Sequence, residues 1–454
     1  MTVAEKLASF AVRASYEDIS EEARLQLKIR ILDALGCAIG ALGGEPVAMV
    51  KAQIEEFGGN ALCTLIGGGS TSPDRAALYN SALVRYLDFN DSYLAKGETC
   101  HPSDNLGAVL AAAEYAKASG KDLLAALAVA YQVQCRLSDV APVRFRGFDH
   151  TSQGSFAVAA GVARALGLDA VRTANAIAIS GTAFNALRVT RTGSLSHWKG
   201  LAYPNTAFGC VHAAFLARRG VTGPLEVFEG NKGFMEAVSG PFELDWDLED
   251  LERVKNTILK RHNAEIHSQS AVEGMLELRE RYDLNPADVR RVEIEIFDVA
   301  FNIIGGGEEG AKTAVRTKEE ADHSLPYIVS VALLDGRVMP EQYLPERIQR
   351  SDVQALLRKV TVTADESFSR RFPFEMPCRV RVWLQDGQDL SVEKDGYEGF
   401  LTKPMRWDTV VRKFEQLSRG RAMPPLFGDI TDAVSRLEGI RVEDLTRLLA
   451  RVQP

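Results

Sequence analysis

The sequence predicts a mainly α protein with an α/β addition. A large all-helical domain is built from both chain ends, and a smaller α/β lid domain is inserted. Three observations predict this. At 454 residues the chain is longer than one ordinary core organises. Apolar residues recur at helical spacing through the N-terminal part and again after Lys403-Pro404. Between these stretches the pattern changes to the alternation of half-buried strands. The implied division is residues 1–267, helical; 268–402, α/β lid; and 403–454, helices returning to the first domain.

The elements follow in order. Glu21 to Leu42 carries apolar residues at helical spacing, acids in its first turn and Gly43-Gly44 as a stop. Pro46 suits the first turn of a helix that ends at Gly58-Gly59. Ser72-Pro73-Asp74 opens another, and helices follow at Leu106–Ala118, Leu123–Leu137, Phe156–Leu166 and Ala170–Ile179. Their Ala and Gly content lets helices approach closely, which favours a compact bundle. Arg291 to Ile296 alternates as a strand does, and Val360 to Thr363 reads as a second. Arg379–Leu384 and Leu390–Val392, joined through Asp386-Gly387, read as a hairpin. Helices around Tyr327–Leu334 and Val353–Leu357 lie between the first two strands.

Composition excludes several functions. The chain has 53 basic and 61 acidic residues, a net charge of -8, so no global field draws it to nucleic acid or an anionic membrane. No run of about 18 apolar residues is free of charge, so no membrane span is expected. The N-terminus is amphipathic with early acids, unlike a signal or transit peptide, and the expected compartment is the cytoplasm. The six cysteines form no CxxC pair. They are expected as reduced, buried thiols, which argues against a zinc knuckle or a cluster held by closely spaced cysteines.

One short break between helices is crowded with titratable groups. YLDFNDSYLAKGETCHPSDN, starting at Tyr86, carries Asp88, Asp91, Lys96, Glu98, Cys100, His101 and Asp104. Four of the seven histidines, His101, His150, His267 and His323, stand just before expected helix starts marked by Ser or Thr. Helix N-termini attract anions, and histidine exchanges protons near neutral pH. Several such ends around one cleft suit a polycarboxylate. Arg188–Ala207 interrupts the helical pattern with Arg188, Arg191, His197 and Lys199, a positive loop suited to carboxylates. Leu259–Gly274 brings Lys260, Arg261, Glu265 and His267 to the expected domain junction. The GGG runs at 67–69 and 305–307 lack a phosphate-loop ending and read as turns. HxxxH and HExxH are absent, which argues against a metal site. No cofactor is expected.

LDFNDSYLAKGETCHPSDNLGAVLAAAEYA, KGLAYPNTA, AEIHSQSAVEG and ADHSLPYIVSVALLDG resemble the MmgE/PrpD family. The resemblance covers nearly the whole chain, with the motifs in the family's order. It implies a helical domain plus a smaller α/β lid, a site between them, and a homodimer. By resemblance, Asp88, His101, His150 and Tyr327 are the catalytic candidates. Ser92, Lys199, Lys260, His267, His323 and Arg191 are the substrate-binding candidates. The implied partner is a small di- or tricarboxylate. The implied reaction is metal-independent dehydration of a tricarboxylic 2-hydroxy acid such as 2-methylcitrate, with His101 and Asp88 as the proton-transfer pair. HPSDN and AEIHSQ both look like the dehydratase version of the motifs. The alternatives are decarboxylation of cis-aconitate, isomerisation or epimerisation of a related acid, and a non-catalytic carboxylate-binding protein.

Overall fold

A computed structural model describes residues 1–453. The chain forms two compact units. The first comprises residues 1–190, 200–257 and 406–454, and the second comprises 191–199 and 258–405.

The first unit opens with helices α1 (Val3–Arg13), α2 (Glu21–Gly40) and α3 (Glu45–Phe57). Ser20 caps α2 through the Ala23 N–H, and Pro46 lies in the first turn of α3. Two short strands, β1 (Cys63–Thr64) and β2 (Ser70–Thr71), flank the first GGG run. All three of its glycines have positive φ, which fits the expected turn. Helix α4 (Pro73–Tyr86) then leads into the polar break.

That break contains a hairpin that periodicity does not reveal. Strands β3 (Tyr93–Ala95) and β4 (Glu98–Cys100) pair antiparallel around Gly97, whose φ is 85°. Helices α5 (Leu106–Tyr115), α6 (Gly120–Val140), α7 (Thr151–Ala165) and α8 (Ala170–Ala183) follow. Every residue of α5 from Leu106 to Ala113 is buried, as a helix of small and apolar side chains inside a bundle should be. The segment Arg188–Ala207, expected to interrupt the helices, does so only in part. Helix α9 (Trp198–Arg218) begins nine residues before Ala207 and runs through Pro204. Burial of Ala202, Tyr203, Ala207, Cys210 and Val211 outweighs the local breakers.

In the second unit, helix α10 (Gln269–Arg281) precedes strand β5 (Val289–Ile296). Helices α11 (Leu325–Asp335) and α12 (Ser351–Leu357) follow, then β6 (Val360–Ala364), β7 (Cys378–Leu384) and β8 (Asp389–Lys394). The sheet order is β6-β5-β7-β8. Strands β5 and β6 are parallel, with Val292 opposite Val360, and the other pairs are antiparallel. Val292, Ile294 and Ile296 are buried while Glu293 and Glu295 lie at intermediate depth, so the alternation reads out as one core face. The expected hairpin is β7–β8, pairing up to Trp383 and Asp389.

The chain then returns to the first unit with α13 (Trp407–Ser418), α14 (Pro424–Ser435) and α15 (Val442–Leu449). Helix α13 packs on α2 at Gly36 and Gly40. A Cβ at Gly36 would sit 3.2 Å from the Phe414 backbone, so a small residue is what admits this approach. All six cysteines are buried. Among the described residues, no helix is long and apolar enough to cross a membrane.

Candidate active site

The polar break is mostly a scaffold for one histidine. After α4 the backbone turns sharply, and Asp88 takes φ 53°, a left-handed conformation that a side chain disfavours. Arg85, three residues back, pairs with Asp88 at 2.7 Å and lies 3.6 Å from Asp104. Asn90 donates to the Ser103 hydroxyl and to Asp104, both at 2.8 Å. Asp91 accepts from the Ser103 N–H at 3.0 Å, the Ser103 hydroxyl at 2.7 Å and the Tyr131 hydroxyl at 2.8 Å. Burial pushes the Asp91 carboxyl above its ordinary value, and the Ser103 and Tyr131 hydrogen bonds oppose that rise. Glu98 is also buried and accepts from the Val143 and Arg144 N–H groups at 3.1 and 3.2 Å. Lys96 is exposed.

His101 is held by the loop it closes. Its Nδ1 lies 2.8 Å from the Asp91 carbonyl oxygen and 3.1 Å from the Ser92 hydroxyl. A carbonyl only accepts, so Nδ1 carries the proton and the neutral ring has its lone pair on Nε2. The His150 ring meets His101 edge to face at 5.5 Å between centroids. Asp149 lies beside His150, with 3.2 Å between Oδ1 and Nδ1. Two of the four histidines flagged by their helix starts therefore converge. Both stand at the start of a helical segment, His101 before the short turn Pro102–Asn105 and His150 before α7. Neither provides a side-chain cap.

Tyr203 of α9 lies against His150 with rings nearly parallel and centroids 6.1 Å apart. Its hydroxyl is 3.0 Å from Asn105 Oδ1 and 3.1 Å from Gln134 Oε1. The approach depends on Gly154, where a Cβ would lie 2.5 Å from the Tyr203 ring. Gly154→Ala is expected to lower stability by about 1–3 kcal/mol through overpacking. Thermal unfolding measures this, and an unchanged midpoint would contradict the packing described.

The second unit also holds a charged set. Lys199, in the first turn of α9, places Nζ 2.6 Å from Asp322 Oδ1 and 2.9 Å from His323 Nδ1. His323 Nδ1 is 2.8 Å from the same Asp322 oxygen, and Lys318 reaches the other at 2.8 Å. Burial opposes the charge on Asp322, but Lys199, Lys318 and His323 outweigh it and hold the carboxyl well below the usual carboxylate range. His323 precedes Ser324, which caps α11 through the Tyr327 N–H. Arg191 donates to the Lys199 carbonyl at 3.3 Å. Lys260 is fully buried.

Glu265 and His267 form a dyad, 2.7 Å between Oε1 and Nδ1, with the His267 N–H on the other carboxylate oxygen at 2.8 Å. Burial raises the Glu265 carboxyl, but the charge and hydrogen bond of His267, with His323 and Lys260, bring it down to about 2. A folded-state value below the unfolded one stabilises above the unfolded value and is lost as pH falls toward the folded one. The stability of this unit is therefore expected to fall between about pH 4.5 and 2. Glu265→Gln should flatten that slope in acid unfolding followed by circular dichroism, and an unaltered slope would refute the assignment. Tyr327 is fully buried, and its hydroxyl donates to the Gln342 carbonyl.

Residues 5–247 match the MmgE/PrpD N-terminal domain and residues 262–425 the MmgE/PrpD C-terminal domain. The chain belongs to the MmgE/PrpD family. It is 30% identical to a 2-methylcitrate dehydratase of Salmonella typhi over 78% of this chain and 76% of that protein. It is 28% identical to the alkylcitrate dehydratase phiI of a fungal species, over 93% and 89% respectively. It is 26% identical to the cis-aconitate decarboxylase of Mus musculus, over 93% and 88%. This MmgE/PrpD protein is an enzyme, a lyase.

Several residues of these clusters lie outside the candidates drawn from the sequence. Asp149 and Asp322 immediately precede His150 and His323, and an acid beside a histidine is a signal that finds them. Tyr203 lies in KGLAYPNTA and Asn105 in HPSDN, while Gln134 lies in no motif, and only the packing of α9 brings Tyr203 to the other two.

Proposed function

We propose that the enzyme is a hydro-lyase that dehydrates a tricarboxylic 2-hydroxy acid, with 2-methylcitrate the first substrate to test. The observation that carries this reading is the pair His101 and His150, placed edge to face in different electrostatic settings. His101 has a carbonyl on Nδ1, which directs its lone pair to Nε2 and suits it to accept a proton. His150 has a carboxylate beside it, which favours the protonated ring and suits it to donate one.

The chemistry balances with those two groups. His101 takes the proton from the carbon beside a substrate carboxylate. The C–H electron pair becomes the new C=C bond, the C–O bond breaks, and His150 protonates the departing hydroxyl so that water leaves. Negative charge grows on the carboxylate next to the deprotonated carbon. In this reading Ser92 and Asp88 hold the histidine loop, and Lys199, Lys260, Arg191, His267 and His323 are the candidates for binding substrate carboxylates. Tyr327 is left out of proton transfer because its hydroxyl is engaged by Gln342.

Product analysis tests the reading. Purified protein is incubated separately with 2-methylcitrate, citrate and cis-aconitate, and the products are weighed by mass spectrometry. Loss of one water from a 2-hydroxy acid is expected. Loss of carbon dioxide from cis-aconitate, with the hydroxy acids untouched, would replace dehydration by decarboxylation.

A further inference from the structure

Lys413 belongs to α13, 324 residues along the chain from Phe89. It is 2% exposed, and its ammonium contacts both Asp33 and Phe89. Nζ donates to the Phe89 carbonyl at 2.8 Å, pairs with Asp33 of α2 at 2.7 Å, and lies 3.7 Å from the centroid of the Phe89 ring. Asp33 and Phe89 are buried as well.

A buried ion pair of this kind is a poor way to gain stability alone, because apolar side chains of similar volume serve as well or better. Its position suggests another use. Phe89 directly follows Asp88, whose left-handed backbone needs outside support. Two residues further on, the Asp91 carbonyl holds His101 Nδ1. Fixing the Phe89 carbonyl therefore fixes the segment between the two.

We propose that Lys413 is a positioning residue. Its ammonium, oriented by Asp33, clamps the Phe89 carbonyl and so holds Asp88 and, through the Asp91 carbonyl, His101 in their working orientation. The inference rests on the proton-transfer role assigned to His101 above.

The test separates positioning from stability. Lys413→Met/Asp33→Asn removes both charges, so neither is left buried alone. Turnover of 2-methylcitrate is measured well below the unfolding midpoint of each variant. The double variant is expected to recover most of the midpoint lost by Lys413→Met, yet show kcat lower on the order of 10²-fold with a smaller change in KM. Lys413→Gln, whose amide still donates to the Phe89 carbonyl, should recover part of kcat. A folded double variant with wild-type kcat and pH profile overturns the proposal. If the double variant does not fold, Lys413→Gln decides, and a kcat no better than that of Lys413→Met overturns it.

A second readout needs no substrate. The ¹⁵N signature of Nδ1-protonated His101 should weaken in Lys413→Met, and an unchanged signature would count against the clamp. Failure of the wild-type enzyme to dehydrate 2-methylcitrate would instead strike at the function, leaving this spectrum to judge Lys413.

Discussion

His101→Ala is expected to lower kcat for dehydration by roughly 10²–10⁴-fold, the usual cost of losing a positioned proton-transfer group. The variant should fold, because what holds the loop is elsewhere. Asp91 keeps its bonds from Ser103 and Tyr131, and Arg85 keeps its pair with Asp88. His101→Asn is the sharper substitution. Its amide can still donate to the Asp91 carbonyl but cannot take a proton. Turnover near the alanine level in His101→Asn, with an unchanged circular dichroism spectrum, assigns the loss to chemistry. Wild-type turnover in either variant removes His101 from proton transfer.

Lys199→Met is expected to have the next largest effect. In the second unit Lys199 is 4% exposed and shares Asp322 with His323 and Lys318. Removing a buried charge that holds a carboxylate costs about 2–5 kcal/mol, which corresponds to roughly 30- to 5,000-fold in kcat/KM. Because Lys318 still faces Asp322, part of the charge balance survives and the unit should fold. The division of the loss tells the role. A rise in KM with kcat intact means that Lys199 binds substrate in the ground state. Equal losses in kcat and kcat/KM mean that it acts on the charge that develops in the transition state. A variant with unaltered kcat/KM would contradict the assignment of Lys199 as a carboxylate-binding cation.

Much of the fold is legible in the sequence because its signals are local and repeated. Glu21–Leu42 shows apolar spacing and early acids, and α2 starts at Glu21 with those acids in its first turn, though it ends at Gly40 with Ala41 as its C-cap, ahead of the Gly43-Gly44 stop. The alternation before Ile296 and the turn at Gly387 likewise yield β5 and the β7–β8 hairpin. Elements of three residues leave no period to read. Strands Tyr93–Ala95 and Glu98–Cys100 therefore escaped, although they bring His101 back to Asp91. At Trp198 the local and tertiary signals conflict. Gly200 and Pro204 suggest a loop, and burial of the apolar face carries the helix through them.

The site follows the same rule. His101 and His150 stand out because both precede helical segments and few histidines exist in the chain. Their partners divide by distance in sequence. Ser92 lies nine residues from His101 and within the same motif. Tyr203 reaches Asn105 across 98 residues, and Lys413 reaches Phe89 across 324, so neither is visible in a window of any useful length. Tyr327 shows the converse. Its place beside His323 is plain in the sequence, but the direction of its hydroxyl, onto the Gln342 carbonyl, depends on packing.

The most direct test of the account is steady-state turnover of 2-methylcitrate by chelator-treated enzyme. The unsaturated acid is followed by ultraviolet absorbance, with wild type and His101→Asn measured side by side. The account predicts an enoate without carbon dioxide from the wild type and a loss of roughly 10²–10⁴-fold in the variant. A wild type that forms no enoate, or a folded variant that forms it at the wild-type rate, would contradict it.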